Sequence, residues 1–228
     1  VPRRAVLIFA HAEAIDLARR AFPAKASRLL QLPIVDSLPF EVDVHLFTAG
    51  RVSASPAHSR LHQQIGRTFA ERLENAVEKI HELGYEEIVT IGRDCPSLSA
   101  RDIERAFAEL ACRRLVLGPD HRGGCYLIAF RSRDRALLRG VRWQQNTDCA
   151  ELRRRCHPAE VCLLPLKHDL DSWADLRLFA RQGDPLAQLA ASLLRFTGGG
   201  DHAVLRLFDF AQQRIRIRQQ IPPPAFAL

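Results

Sequence analysis

The chain has 228 residues, 47% of them hydrophobic and 26% charged, which is enough apolar material to bury one main core without disulfide or metal staples and excludes a disordered or fibrous protein. Its formal net charge of +7 is carried almost wholly by arginine, since Lys25, Lys79 and Lys167 are the only lysines. No basic block is interleaved with aromatic residues, so the positive balance points to phosphate-bearing small molecules rather than nucleic acid. No run approaches the roughly 18 consecutive apolar residues that a membrane span requires.

The first predicted element is RAVLIFA (4–10), a nearly continuous apolar run that reads as a buried strand; it is too short, and too soon followed by charge, to be the core of a signal peptide. EVDVHLFT (41–48) reads the same way. From Leu61 to Leu83 the residues Ile65, Phe69, Leu73, Val77 and Ile80 recur every three or four positions, which predicts one helix ending at Gly84. EEIVTIG (86–92) predicts the next strand, followed by a helix with Ser99 as N-cap and Ile103, Phe107 and Leu110 as its buried stripe. RRLVLG (113–118), CYLIAF (125–130) and EVCLLPL (160–166) complete the predicted strands.

Strands alternating with helices of this length predict an α/β domain with a largely parallel sheet, whose ligands bind beyond the carboxyl ends of the strands. The loops that matter are therefore those after Ala10, Ile91, Gly118 and Leu166. Beyond about Arg181 the character changes to the helix-like PLAQLAASLLRF, a GGG break at 198–200, a second helix-like run and a basic RIRIRQQ tail. The expected organisation is a main domain over 1–180 and a helical C-terminal extension over 181–228.

Asp94, in IGRDCPSLS (91–99), falls just past a buried strand, where α/β enzymes place metal and phosphate ligands and where loop or cap residues also occur; Pro96 sets the turn behind it. Asp169 and Asp171 in KHDLDSWADL (167–176) share a face if extended and suit a hard divalent cation, although Asp171 with Ser172 equally suits a helix cap. His121 and His168 flank these acids as polar loop residues. The six cysteines include no C-x-x-C and read as reduced thiols of a cytoplasmic protein, with Cys125 a packed thiol. Cys156, His157 and Cys162 lack a second ligand pair for zinc, and no G-x-S-x-G element supports hydrolase chemistry.

GRTFAERL (66–73), IGRDCPSL (91–98), LGPDHRGGCYLIAF (117–130), Trp143 with Thr147, and LPLKHDLDSWADL, in this order, resemble the DUF2064 family of glycosyltransferase-A-type bacterial transferases, also called selenodomain-associated transferase 1. The resemblance spans roughly residues 4–180 and implies a Rossmann-like three-layer fold that binds a nucleotide-diphospho sugar with Mg²⁺ or Mn²⁺. It implies that Asp94, Asp169 and Asp171 hold the metal, that Arg19 and Arg72 meet phosphates, and that Gly123 and Gly124 lie against the ligand. Glycosyl transfer to an unidentified acceptor, nucleotidyl transfer, and a binding protein that has lost the reaction all remain open on this reading.

The chain departs from the family in its first loop, HAEAIDLARRAF, which has neither the glycine nor the lysine of the usual basic loop. It departs again at Arg122, where the family has an aspartate before the Gly pair. A guanidinium about 6 Å from a divalent cation costs several kcal/mol even at an effective dielectric near 20, so Arg122 is expected to bind a phosphate and Asp120 to supply the missing carboxylate.

Overall fold

The computed structural model describes residues 2–11, 38–39, 41–50, 58–172 and 175. Its centre is a seven-stranded sheet in the order β3-β2-β1-β4-β6-β5-β7, built from β1 (Arg4–Ala10), β2 (Val42–Thr48), β3 (Ser59–Gln63), β4 (Glu87–Ile91), β5 (Leu115–Pro119), β6 (Cys125–Arg131) and β7 (Val161–Leu163). All neighbours pair in parallel except β6, which runs antiparallel between β4 and β5. The carboxyl ends of β1, β2, β4, β5 and β7 therefore share one edge of the sheet, and β6 begins there.

The continuous apolar strands are explained by helices on both faces. Alternate residues of β1 divide between two cores. Val6, Ile8 and Ala10 join Ile103, Ala106 and Phe107 of helix α2 (Ala100–Glu109). Ala5, Leu7 and Phe9 join Leu73, Val77 and Ile80 of helix α1 (Phe69–Glu82). The result is the expected three-layer α/β architecture. The Ser99 cap forms as read: its hydroxyl accepts from the Asp102 amide while Asp102 accepts from the Ser99 amide. Replacing Ser99 by Ala should cost about 1 kcal/mol, measured by urea denaturation; an unchanged midpoint would show the box to be redundant.

Two predicted elements change. The helix expected from Leu61 to Leu83 starts at Phe69, with Thr68 as N-cap, and its first part is instead the edge strand β3. Leu61 and Ile65, which fitted the helical period, are 56% and 71% exposed. Gly66, at φ 135°, breaks the chain between strand and helix. The strand expected over 160–166 is only Val161–Leu163, because Pro165 has no N–H to give a ladder.

The chain divides into two compact units, one of Val1–Asp16 with Leu30–Leu170 and one of Leu17–Leu29 with Asp171–Leu228. The sheet belongs to the first. The expected extension over 181–228 lies outside the described residues, as does the divergent first loop from Ala12 onward. Among the described residues no helix is long and apolar enough to cross a membrane.

Candidate functional site

The stretches singled out after β4, around the Gly pair and after β7 are joined by main-chain hydrogen bonds at the carboxyl edge of the sheet. The Leu170 amide donates to the Asp94 carbonyl at 2.6 Å, and the His121 amide donates to the Lys167 carbonyl at 3.1 Å. The Lys167 amide donates to the Pro119 carbonyl at 3.1 Å, and Asp120 and Lys167 form a parallel bridge. The imidazoles of His121 and His168 lie against one another, with ring centroids 4.4 Å apart.

Lys167 reinforces this convergence. Its ammonium donates to the Ser97 carbonyl at 2.7 Å and pairs with Asp102 at 3.1 Å, both side chains being largely buried. Its rarity in an arginine-rich chain was the one sequence signal that could have picked it out: a compact ammonium meets one carbonyl and one carboxylate where a planar guanidinium would not fit equally well. Pro96 occupies the turn closed by the Leu98 amide on the Cys95 carbonyl, as its position suggested.

Asp94 is partly buried, and its carboxylate turns back over Gly92, where any Cβ would collide with it. Asp169 is buried at the end of the first unit. Both carboxylates act on the Cys95 thiol, which burial, followed by Asp169, pushes up to about 12. Cys95 is thus a neutral thiol at physiological pH and not a nucleophile.

The loop before β6 departs from expectation. Asp120 Oδ1 accepts from the Arg122 amide at 2.6 Å and from the Gly124 amide at 3.0 Å, so this carboxylate organises its own loop. A Cβ at Gly124 would strike the Asp120 carboxylate, and one at Gly123, which has φ 102°, would strike the Asn146 carbonyl. The close approach signalled by the Gly pair is made by the chain itself. Asn146 and Asp148 were not anticipated. Asp148 is buried, and burial raises its carboxyl above the usual range against the opposing pull of the Gln144 and Gln145 amides.

Arg72 lies in the first turn of α1, its guanidinium donating to the Arg67 carbonyl at 3.4 Å, while Glu71 accepts from the Arg67 amide at 2.7 Å. Phe69 of the same turn stacks edge-on with Phe9 at 5.2 Å and tilts onto Trp143 at 5.9 Å, tying the end of β1 to α1 and to the Trp143 segment. Gln64 donates to the carbonyls of Ala10 and Phe47 and so bridges the ends of β1 and β2. Arg19 lies outside the described residues.

Residues 39–145 match the model of DUF2064, described as an uncharacterized protein conserved in bacteria. Over this segment the chain is similar to the DUF2064 family. No curated protein matches the sequence. Among solved structures, a "putative nucleotide-diphospho-sugar transferase" from Desulfovibrio desulfuricans G20 is similar with a TM-score of 0.67 and 22% identity over 94% of this chain and 98% of its own. A cytidylyltransferase from Leptospira borgpetersenii serovar Hardjo-bovis gives 0.54 and 11%, over 98% of this chain and 99% of its own. Rv0371c of Mycobacterium tuberculosis H37Rv, in complex with manganese, gives 0.53 and 16%, over 78% of this chain and 97% of its own. At these identities the likeness establishes the fold, which is that of the nucleotide-diphospho-sugar transferases.

Among the described residues no group of three or more His, Cys, Asp or Glu side chains is arranged to hold a metal ion. Asp169 closes the first unit and Asp171 opens the second. There the Asp171 amide donates to Asp175 at 3.1 Å, while Ser172 and Asp175 bond reciprocally in the manner of a helix cap.

Proposed function

We propose that the chain binds the diphosphate of a nucleotide or nucleotide-diphospho sugar beyond the carboxyl ends of β1, β4 and β5, and that it is a glycosyltransferase-type enzyme. The observation that supports this reading is the hydrogen-bonded convergence of IGRDCPSL, LGPDHRGG and LKHDL at that edge, in the fold of nucleotide-diphospho-sugar transferases. The neighbouring parallel strands β1 and β4 lie where the chain order of the sheet reverses, the place where such sheets bind ligands.

In this reading Arg122, on a loop braced by Asp120, binds the diphosphate through two parallel N–H groups, and Arg72 offers a further cation at the start of α1. As the diphosphate departs it gains negative charge, which a braced guanidinium stabilises more strongly than it does the bound ground state. Asp94, held back over Gly92, is the carboxylate that accepts the proton of an acceptor hydroxyl.

One observation favours a second reading, a protein that binds nucleotide without turning it over: Arg122 stands where the family has an aspartate, and the Asp120 carboxylate beside it is taken up by the amides of its own loop. Thermal-shift titration with nucleotide sugars, nucleoside diphosphates and nucleoside triphosphates, each with and without Mn²⁺, separates the cases. Binding should weaken about tenfold in Arg122→Ala, the loss of one charge-assisted phosphate contact. Release of a nucleoside diphosphate supports glycosyl transfer, and release of pyrophosphate supports nucleotidyl transfer. Binding without either product supports the second reading, and no response to any nucleotide would overturn both.

A further inference from the structure

The loop Arg142–Thr147, which leads into helix α3 (Asp148–Arg153), packs on the loop of the Gly pair. The Cys149 amide donates to the Gly123 carbonyl at 3.2 Å, and the Asn146 carbonyl fills the place that a Cβ at Gly123 would take. Trp143, near the other end of the loop, rests on Phe69 of α1 with ring centroids 5.9 Å apart. Arg122 therefore starts from a backbone held from two directions. Asp120 accepts its amide at 2.6 Å from within the loop, and residues 146–149 hold its neighbour Gly123 from outside.

One side chain closes this outer loop. Glu151 Oε2 accepts from the Arg142 amide at 3.0 Å, while Oε1 accepts from the Arg142 guanidinium at 2.7 Å and from the Thr147 hydroxyl at 3.2 Å. Its side chain is only 12% exposed. Asp148 supports the interior, its Oδ2 accepting from the Gln144 amide at 3.3 Å. The conformation so enforced is unfavourable in itself. Gln144 and Asn146 are left-handed, at φ 63° and 59°, two of the three non-glycine residues with positive φ among the described residues. Trp143 Nε1 and Asp148 Oδ1 are buried with no hydrogen-bond partner among the described residues. Such features persist only where the surroundings over-determine them, and they gather where a protein must hold a neighbouring group in place.

We propose that Glu151 is a positioning residue for Arg122: by closing the Arg142–Thr147 loop it presses the Asn146 carbonyl and the Cys149 amide onto Gly123, and so fixes the backbone from which the guanidinium reaches a diphosphate. In this role Glu151 acts through Gly123 and does not itself meet the ligand. The inference rests on the diphosphate reading of Arg122 and adds the brace that gives the guanidinium its direction. A bidentate contact needs both N–H groups aimed at once, so its strength follows the order of the loop that carries it.

Hydrogen exchange of the ligand-free full chain tests the brace. Glu151→Ala should speed exchange of the amides over 121–125 about tenfold while those of β1 and β4 keep their rates, and Glu151→Gln, which keeps an acceptor for the Arg142 amide, should fall between. Titration calorimetry with inorganic pyrophosphate tests its purpose. Glu151→Ala should weaken binding about fivefold in the wild-type background and not at all in Arg122→Ala, because the brace then has no guanidinium to aim. Equal losses in both backgrounds, or a rise in exchange shared by β1 and β4 in both variants, would give Glu151 a general stabilising role and overturn the proposal. Wild type that binds no pyrophosphate would sink the diphosphate reading and the purpose of the brace with it, whereas unchanged exchange over 121–125 would sink the brace itself.

Discussion

Asp120→Ala should destabilise the first unit by about 3 kcal/mol, since one carboxylate oxygen accepts from both the Arg122 and Gly124 amides and each charge-assisted bond is worth about 1.5 kcal/mol or more. Asp120→Asn keeps an acceptor at the same place and should recover most of this, leaving a deficit of about 1 kcal/mol. Guanidinium denaturation of the three proteins measures both effects. The pair also decides what the carboxylate is for. If Asp120→Asn folds normally and retains nucleotide binding, Asp120 serves the loop; if it folds normally and binding is lost, the carboxylate itself meets the ligand.

Acidification should remove about 2 kcal/mol of stability through His45 alone. This imidazole is fully buried in β2, its Nδ1 2.9 Å from His62 Nε2 and its ring edge-on to Tyr85. Burial, then the His62, Arg60 and Arg3 charges acting against Asp43, lowers its pKa from 6.5 to about 4. The unfolded chain therefore takes up a proton that the folded chain refuses, so the contribution is complete above about pH 6.5 and is lost as the pH falls to about 4. The full shift corresponds to about 3 kcal/mol, reduced to about 2 kcal/mol by the solvent screening of partly exposed His62 and Arg60. His45→Asn should flatten the stability profile between these limits, whatever its stability at neutral pH. A variant that loses stability as steeply as the wild type would assign the acid sensitivity to other groups.

The His45 effect depends on partners distant in the chain, whereas Asp120 meets amides two and four residues away, and the sequence was informative about such neighbours mainly as residue types. The apolar runs of β1, β2, β4, β5 and β6 were legible because strands covered on both faces need apolar side chains at consecutive positions. The Ser99 cap was legible because its partner Asp102 is three residues away. β3 was not: SRLHQ is a polar edge strand, and the accidental spacing of Leu61 and Ile65 extended the helical period of α1 across it. The acids of the edge were legible as types at strand ends, but their tasks were not. Asp120 looked like a spare carboxylate and turned out to accept from its own loop.

The sequence by itself determined the class of fold and the edge of the sheet where chemistry would be sought. These follow from periodicity, capping and the order of short motifs, all of which are local properties of the chain. Only the tertiary structure decided that β6 runs antiparallel, that Asn146 fills the space beside Gly123, and that His45 meets His62. Each of these depends on which distant segments close on one another, and loop closure is governed by the packing of the whole sheet and its two helical layers, which no window of neighbouring residues contains.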